Sequence, residues 1–171
     1  LPFVLLDGEH AAGVVRVVEE TLLTPLGLRS LEPGHPDYRP RYAGGVRERD
    51  GAYHQGTIWP WLIGPFVEAW LNVRGRAPMA RAEANERFLA PLRTHLDTAG
   101  LGHISEVADA DAPHTPSGCP FQAWSLGEFL RIEALLNERE PRSQHCAHPL
   151  ARLGRASVRP FRFSRSLALD P

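Results

Sequence analysis

Between Asp7 and Leu23 the apolar residues Ala11, Val14, Val15, Val18 and Leu22 fall at three- and four-residue steps, opposite a polar face of Glu9, Arg16, Glu19 and Glu20. This period predicts an amphipathic helix, which Pro25 and Gly27 end. A second helix is expected from Thr57, as its cap, to about Val73, with Gly75 at the exit. Pro60 is tolerated there because first-turn amides have no intrahelical partner. A third, about Pro78 to Leu96, puts Phe88, Leu89, Leu92 and Leu96 on one stripe and Arg81, Glu83, Glu86, Arg87 and Arg93 on the wet side, as in an outer, half-exposed helix. A fourth, about Pro120 to Arg139, carries Trp124, Leu126, Phe129, Leu130, Ile132, Leu135 and Leu136, enough for burial over much of its circumference.

Two irregular stretches separate these helices. Thr24 to Gln55 shows turn residues among Arg29, Asp37, Tyr38, Arg39, Arg41 and Tyr42, and the second stretch runs from Gly100 to Cys119. The first is roughly thirty residues long, well above an ordinary connection, so it is either functional or disordered, and its aromatics and paired charges favour a functional loop. No segment alternates with period two, so the expected class is all-α without a substantial sheet. The order is outer helix, long loop, inner helix, outer helix, loop, inner helix. It fits helical hairpins around a ring whose rim loops gather at a shared pocket, although four helices do not close such a ring.

Composition narrows the partners. A 171-residue chain that is 43% hydrophobic can build a real core, and a net charge of −1 offers no basic surface for nucleic acid or an anionic membrane. The expected partner is neutral. All 19 basic residues are Arg, which reads as GC-rich coding bias. Cys119 and Cys146 make neither a disulfide framework nor a C-x-x-C zinc spacing, so a reducing, cytoplasmic setting without metal or cofactor is expected. Ile58 to Val73 contains Pro60, Pro65 and Glu68 and is too short to span a membrane. The chain opens at Leu1 without Met or a basic flank and reads as cut from a longer protein. Residues 1–140 are expected to form the structured portion. In 141–171, Arg142, Arg152, Arg155, Arg159, Arg162 and Arg165 are scattered without a repeat, so that tail is expected to be irregular or disordered, and its composition also fits an out-of-frame translation. The trio His145, Cys146 and His148 lies in it and is not taken as a metal site.

The densest chemistry is Tyr53-His54-Gln55-Gly56-Thr57-Ile58-Trp59-Pro60-Trp61. Indole and phenol rings offer flat apolar faces to pyranose C–H groups, and Gln and His offer directional hydrogen bonds to hydroxyls, so the set suits a sugar. Gly56 allows close backbone approach. Taken singly, Trp59 and Trp61 read as core and His54 as a satisfied buried histidine; the cluster carries the sugar reading. Gln122 and Trp124 face either pocket or core by spacing, Trp124 more often core. Arg39 and Arg41, flanked by Tyr38 and Tyr42, are expected to brace the rim.

The run from Gly51 to Phe66 resembles the amylo-α-1,6-glucosidase domain of glycogen debranching enzymes, as do Gly27–Leu31, Tyr38–Tyr42 and the stretch His103–Ser125 with its Ile104-Ser105-Glu106. The resemblance implies the C-terminal part of an (α/α)6-barrel hydrolase that cleaves α-1,6-linked glucose in glycogen or limit dextrin with inversion. It also implies Glu106 as general base. Read from the residues alone, Glu106 lies on a rim loop with no basic neighbour in sequence, and without the resemblance a solvated loop glutamate is the preferred reading. Inversion needs a second carboxyl about 6.5–9.5 Å away as general acid. In the family that acid is an Asp upstream of anything in this chain, so the fragment alone is expected to be inactive and to need the N-terminal half of the barrel. Tyr53, His54, Gln55, Trp59, Trp61, Gln122 and Trp124 are the expected sugar contacts, with Asp109, like Asp111, shaping the loop or accepting a glucose hydroxyl. The sequence departs from the family at His103, usually a small Ser, and at Ala108-Asp109-Ala110-Asp111, which replaces an aromatic-Asp-Gly-Asp. Two rivals stand beside this reading: a related barrel acting on another glycan such as trehalose, kojibiose or a β-linked sugar, and a non-catalytic carbohydrate-binding piece.

Overall fold

The structure, a computed structural model, describes residues 5–138. The tail 141–171 and its His-Cys-His trio lie outside the described residues. The helices form where the apolar period is strongest: α1 Gly8–Thr21, α3 Ile63–Arg74, a helical run Pro78–Gly100, and α6 Ala123–Asn137. The run comprises α4 Pro78–Ala84, a π turn Asn85–Leu89, α5 Ala90–His95 and a second π turn Leu96–Gly100. The first π turn precedes Pro91. Proline lacks an amide donor and its ring crowds the preceding turn, and the wider turn relieves both.

α3 is the inner helix. Ile63, Gly64, Phe66, Val67, Trp70 and Leu71 are buried on it, and it packs against α1, α4 and α6. The core continues through Phe88, Leu89 and Leu92 of the helical run and Phe129, Ile132 and Leu136 of α6. Gly64 sets the closeness of α3 to α6, since a Cβ there would overlap the Glu128 carboxylate.

Several expectations are corrected. The described residues are mostly helical but not strictly all-α: β1 Leu23–Thr24, β2 Gly27–Arg29, β3 Ile58–Trp59, β4 Val107–Ala108 and β5 Pro116–Ser117 form one antiparallel sheet in chain order. Strands of two or three residues are too short to show alternation, which is why the sequence conceals them. The long loop holds a short helix, α2 Val46–Ala52, whose polar sequence has no apolar stripe. Thr57 does not cap α3. It is fully buried, with its hydroxyl on the Ala52 carbonyl at 2.7 Å and its own carbonyl accepting from Ser30 N and Oγ. Trp59 precedes the 3-10 turn Pro60–Leu62 that leads into α3, without a side-chain cap bond. Trp124 and Leu130 of α6 are 49% and 53% exposed, so that helix buries one side only; on α1, Val14 is 51% exposed and only Val15 is buried. Among the described residues no helix is long and apolar enough to cross a membrane.

The sheet positions the site. Leu28 pairs with Trp59, Ile58 with Ala108, and Val107 with Ser117, so three loop segments remote in sequence lie side by side.

Candidate active site

Glu106 stands just before β4. Its amide donates to the Cys119 carbonyl at 2.9 Å, one residue beyond the partner that the Val107–Ser117 register would give it. Gly118, with φ +73°, takes up the extra residue as in a β-bulge. The half-buried carboxylate is held by donors from two segments. The phenol of Tyr53, at the end of α2, donates to Oε1, and the Cys119 amide donates to Oε2 at 2.8 Å. Among the described residues Glu106 makes no ion pair. Each carboxylate oxygen has two acceptor positions, so capacity remains for a water.

Tyr53 is itself fixed. Trp59 Nε1 donates to its carbonyl at 2.9 Å, and the Trp59 ring meets the phenol edge-on at 4.6 Å. His54 stacks on Trp59 at 5.1 Å with the planes only 6° apart. Trp124 packs against Trp59 at 6.0 Å and Trp61 at 5.6 Å, and Tyr42 lies 5.5 Å from Tyr53. Aromatic surface therefore runs continuously from Tyr42 to Trp61. Burial, and then the hydrogen bond to Glu106, push the Tyr53 phenol well above its ordinary value, so it remains a protonated donor.

Of the residues singled out in the sequence, Glu106, Tyr53, His54, Trp59, Trp61 and Trp124 come together in this way. Asp109 goes elsewhere: its buried carboxylate accepts from Tyr42 N at 2.8 Å and Arg41 Nη1 at 3.0 Å. Those contacts tie the residue after β4 to the Arg41–Tyr42 segment. Arg41 also reaches the Ala112 carbonyl, and Asp111 accepts from the Tyr38 phenol at 2.9 Å. Burial and this bond raise the Tyr38 pKa against the opposing Arg29. Gln55 and Gln122 are tied in by backbone contacts, to Arg39 and Ala52 and to Ile104. Gly56, with φ +135°, lies where a Cβ would sit 2.8 Å from the Arg39 carbonyl.

Sequence reasoning missed the Cys119 amide, because a backbone donor leaves no mark in residue type. It also missed an open cavity of about 420 Å³ lined by Tyr42, Ala43, Gly44, Arg49, Ser117 and Gly118. That volume falls among small-ligand sites, and Gly118, which lines it, also borders the Glu106 carboxylate. Among the described residues no three His, Cys, Asp or Glu side chains converge as a metal site. The arrangement offers an acceptor fixed by two donors, next to aromatic faces and a cavity.

Comparison with known proteins finds a match over residues 1–131 to the family described as Amylo-alpha-1,6-glucosidase. The glycogen debranching enzyme of Saccharomyces cerevisiae is 30% identical over 142 residues, covering 72% of this chain and 9% of that protein.

Proposed function

This chain belongs to the amylo-α-1,6-glucosidase family, and from that premise we propose that it is the base-bearing segment of a glycogen-debranching glycosidase. In this reading Glu106 deprotonates the water that displaces the leaving oxygen with inversion. The observation that carries it is the Glu106 carboxylate, held by Tyr53 and Cys119 against the Tyr53–Trp124 aromatic cluster with no ion-pair partner among the described residues.

The chemistry follows from that placement. A base for water must be ionised, aimed and accessible, and two fixed donors aim the carboxylate without filling its acceptor capacity. Trp61, Trp124 and His54 supply faces and an edge for a glucose unit, with the buried Trp59 backing them, and the neighbouring cavity gives room for the glucan. The general acid belongs to a part of the whole enzyme outside this chain, about 6.5–9.5 Å from Glu106 across the sugar. The chain spans 9% of the yeast relative, and the described helices are read as part of an (α/α)6 barrel completed by the rest of that enzyme.

The test is Glu106→Gln in the complete enzyme, followed by glucose release from an α-1,6-branched limit dextrin. The expected loss in kcat is about 10²–10⁴-fold, with the isolated 171-residue chain inactive. An unchanged rate in the variant removes Glu106 from the reaction.

A further inference from the structure

Tyr53 was expected to be a sugar contact, yet its surroundings point to another task. The hydroxyl is spent on Glu106 Oε1. The ring has Tyr42 at 5.5 Å, His54 at 4.9 Å and Trp59 at 4.6 Å around it, which leaves little free face for a pyranose. Its carbonyl is pinned by Trp59 Nε1. The residue is held from several sides, and its one directional group is aimed at the carboxylate.

We infer that Tyr53 is a positioning residue for Glu106 and not a sugar platform: its hydroxyl fixes the carboxylate in the orientation that water attack requires. The geometry gives the reason. A glutamate side chain has three rotatable bonds, and the Cys119 amide alone restrains only one of its two oxygens. With Oε2 tied to an amide and Oε1 tied to a phenol, rotation about the last bond is blocked as well. On the side away from Tyr53, Gly118 leaves the space that the carboxylate occupies, since a Cβ there would approach Oε2 to 2.6 Å. The assignment rests on Glu106 being the base, and it adds a residue that does not touch the sugar. A misaimed reacting group of about 1 Å costs on the order of 10²-fold in rate while leaving the affinity of the rest of the site intact.

The experiment measures kcat and KM separately on limit dextrin with the complete enzyme carrying Tyr53→Phe, Glu106→Gln, and both. Tyr53→Phe keeps the ring and its packing and removes only the hydroxyl. The expected result is a kcat lower by about 10- to 100-fold with KM unchanged, and a double variant no slower than Glu106→Gln alone, because one residue acts through the other. A sugar platform gives the opposite pattern: Tyr53→Phe near the wild-type kcat, with any loss in KM. That outcome, with Glu106→Gln inactive, overturns the positioning role and leaves the base in place. Full activity in Glu106→Gln overturns the base reading itself. Should Tyr53→Phe melt early, kcat is compared below its transition with limit-dextrin binding measured by calorimetry. Undiminished binding with lost turnover supports positioning, and binding lost in proportion to turnover overturns it.

Discussion

Alanine in place of Gly118 perturbs the proposed base, Glu106, without touching its chemistry. Gly118 has φ +73°, a left-handed conformation that costs an L side chain about 1–2 kcal/mol. The new Cβ would lie 2.6 Å from Glu106 Oε2 and 3.1 Å from both Glu106 Cβ and Val107 Cγ2. Ordinary contact begins at 3.4 Å, so the carboxylate must retreat by about 0.8 Å, and its bond from the Cys119 amide lengthens with it. A displacement of that size costs on the order of 10²-fold in turnover. Gly75 supplies the control. At φ +86° and ψ 160° it lies in a region that glycine alone adopts readily, so alanine strains the backbone there too, yet a Cβ meets nothing within 4 Å. Melting temperatures and initial rates of glucose release are measured on both variants of the complete enzyme. Both should melt earlier, and only Gly118→Ala should lose turnover. If Gly118→Ala turns over as fast as Gly75→Ala, the packing of Gly118 against the carboxylate has no part in catalysis.

Two further outcomes follow from other parts of the site. Trp124 is 49% exposed and touches Trp59 and Trp61 by its ring; Trp124→Ala should therefore cost the fold little but raise KM for glucan about tenfold, the equivalent of one lost aromatic contact of roughly 1.4 kcal/mol, and an unchanged KM refutes its role as a sugar face. His95 is 4% exposed, accepts the Ser105 amide at Nε2, and burial pushes its pKa below the usual 6.5. The unfolded chain thus binds the proton more readily, so this contribution is complete above pH 6.5 and is lost as pH falls from there through the folded value. Denaturant unfolding between about pH 7.5 and 5 should show a destabilisation on acidification that His95→Gln lacks, and equal slopes in the two proteins refute it.

Much of the helical frame was legible in the sequence, because burying one stripe of a helix imposes a local period, and Ile63 to Leu71 and Phe88 to Leu92 write that period out. The aromatic run Tyr53 to Trp61 and the carboxylate at 106 were likewise visible as residue types at short spacing, and the family followed from them. The sheet was hidden, since its strands are two or three residues long and its two central pairings, β2 with β3 and β3 with β4, join residues about 30 and 50 positions apart. Only the tertiary structure decided that Trp124 stays half-exposed beside Trp59, that Asp109 turns toward Arg41, and that Glu106 lies between Tyr53 and the Cys119 amide. The physical reason is range: a helix period is set within one turn, whereas the aim of a side chain is set by whichever remote backbone and side-chain donors the packed loops bring to it.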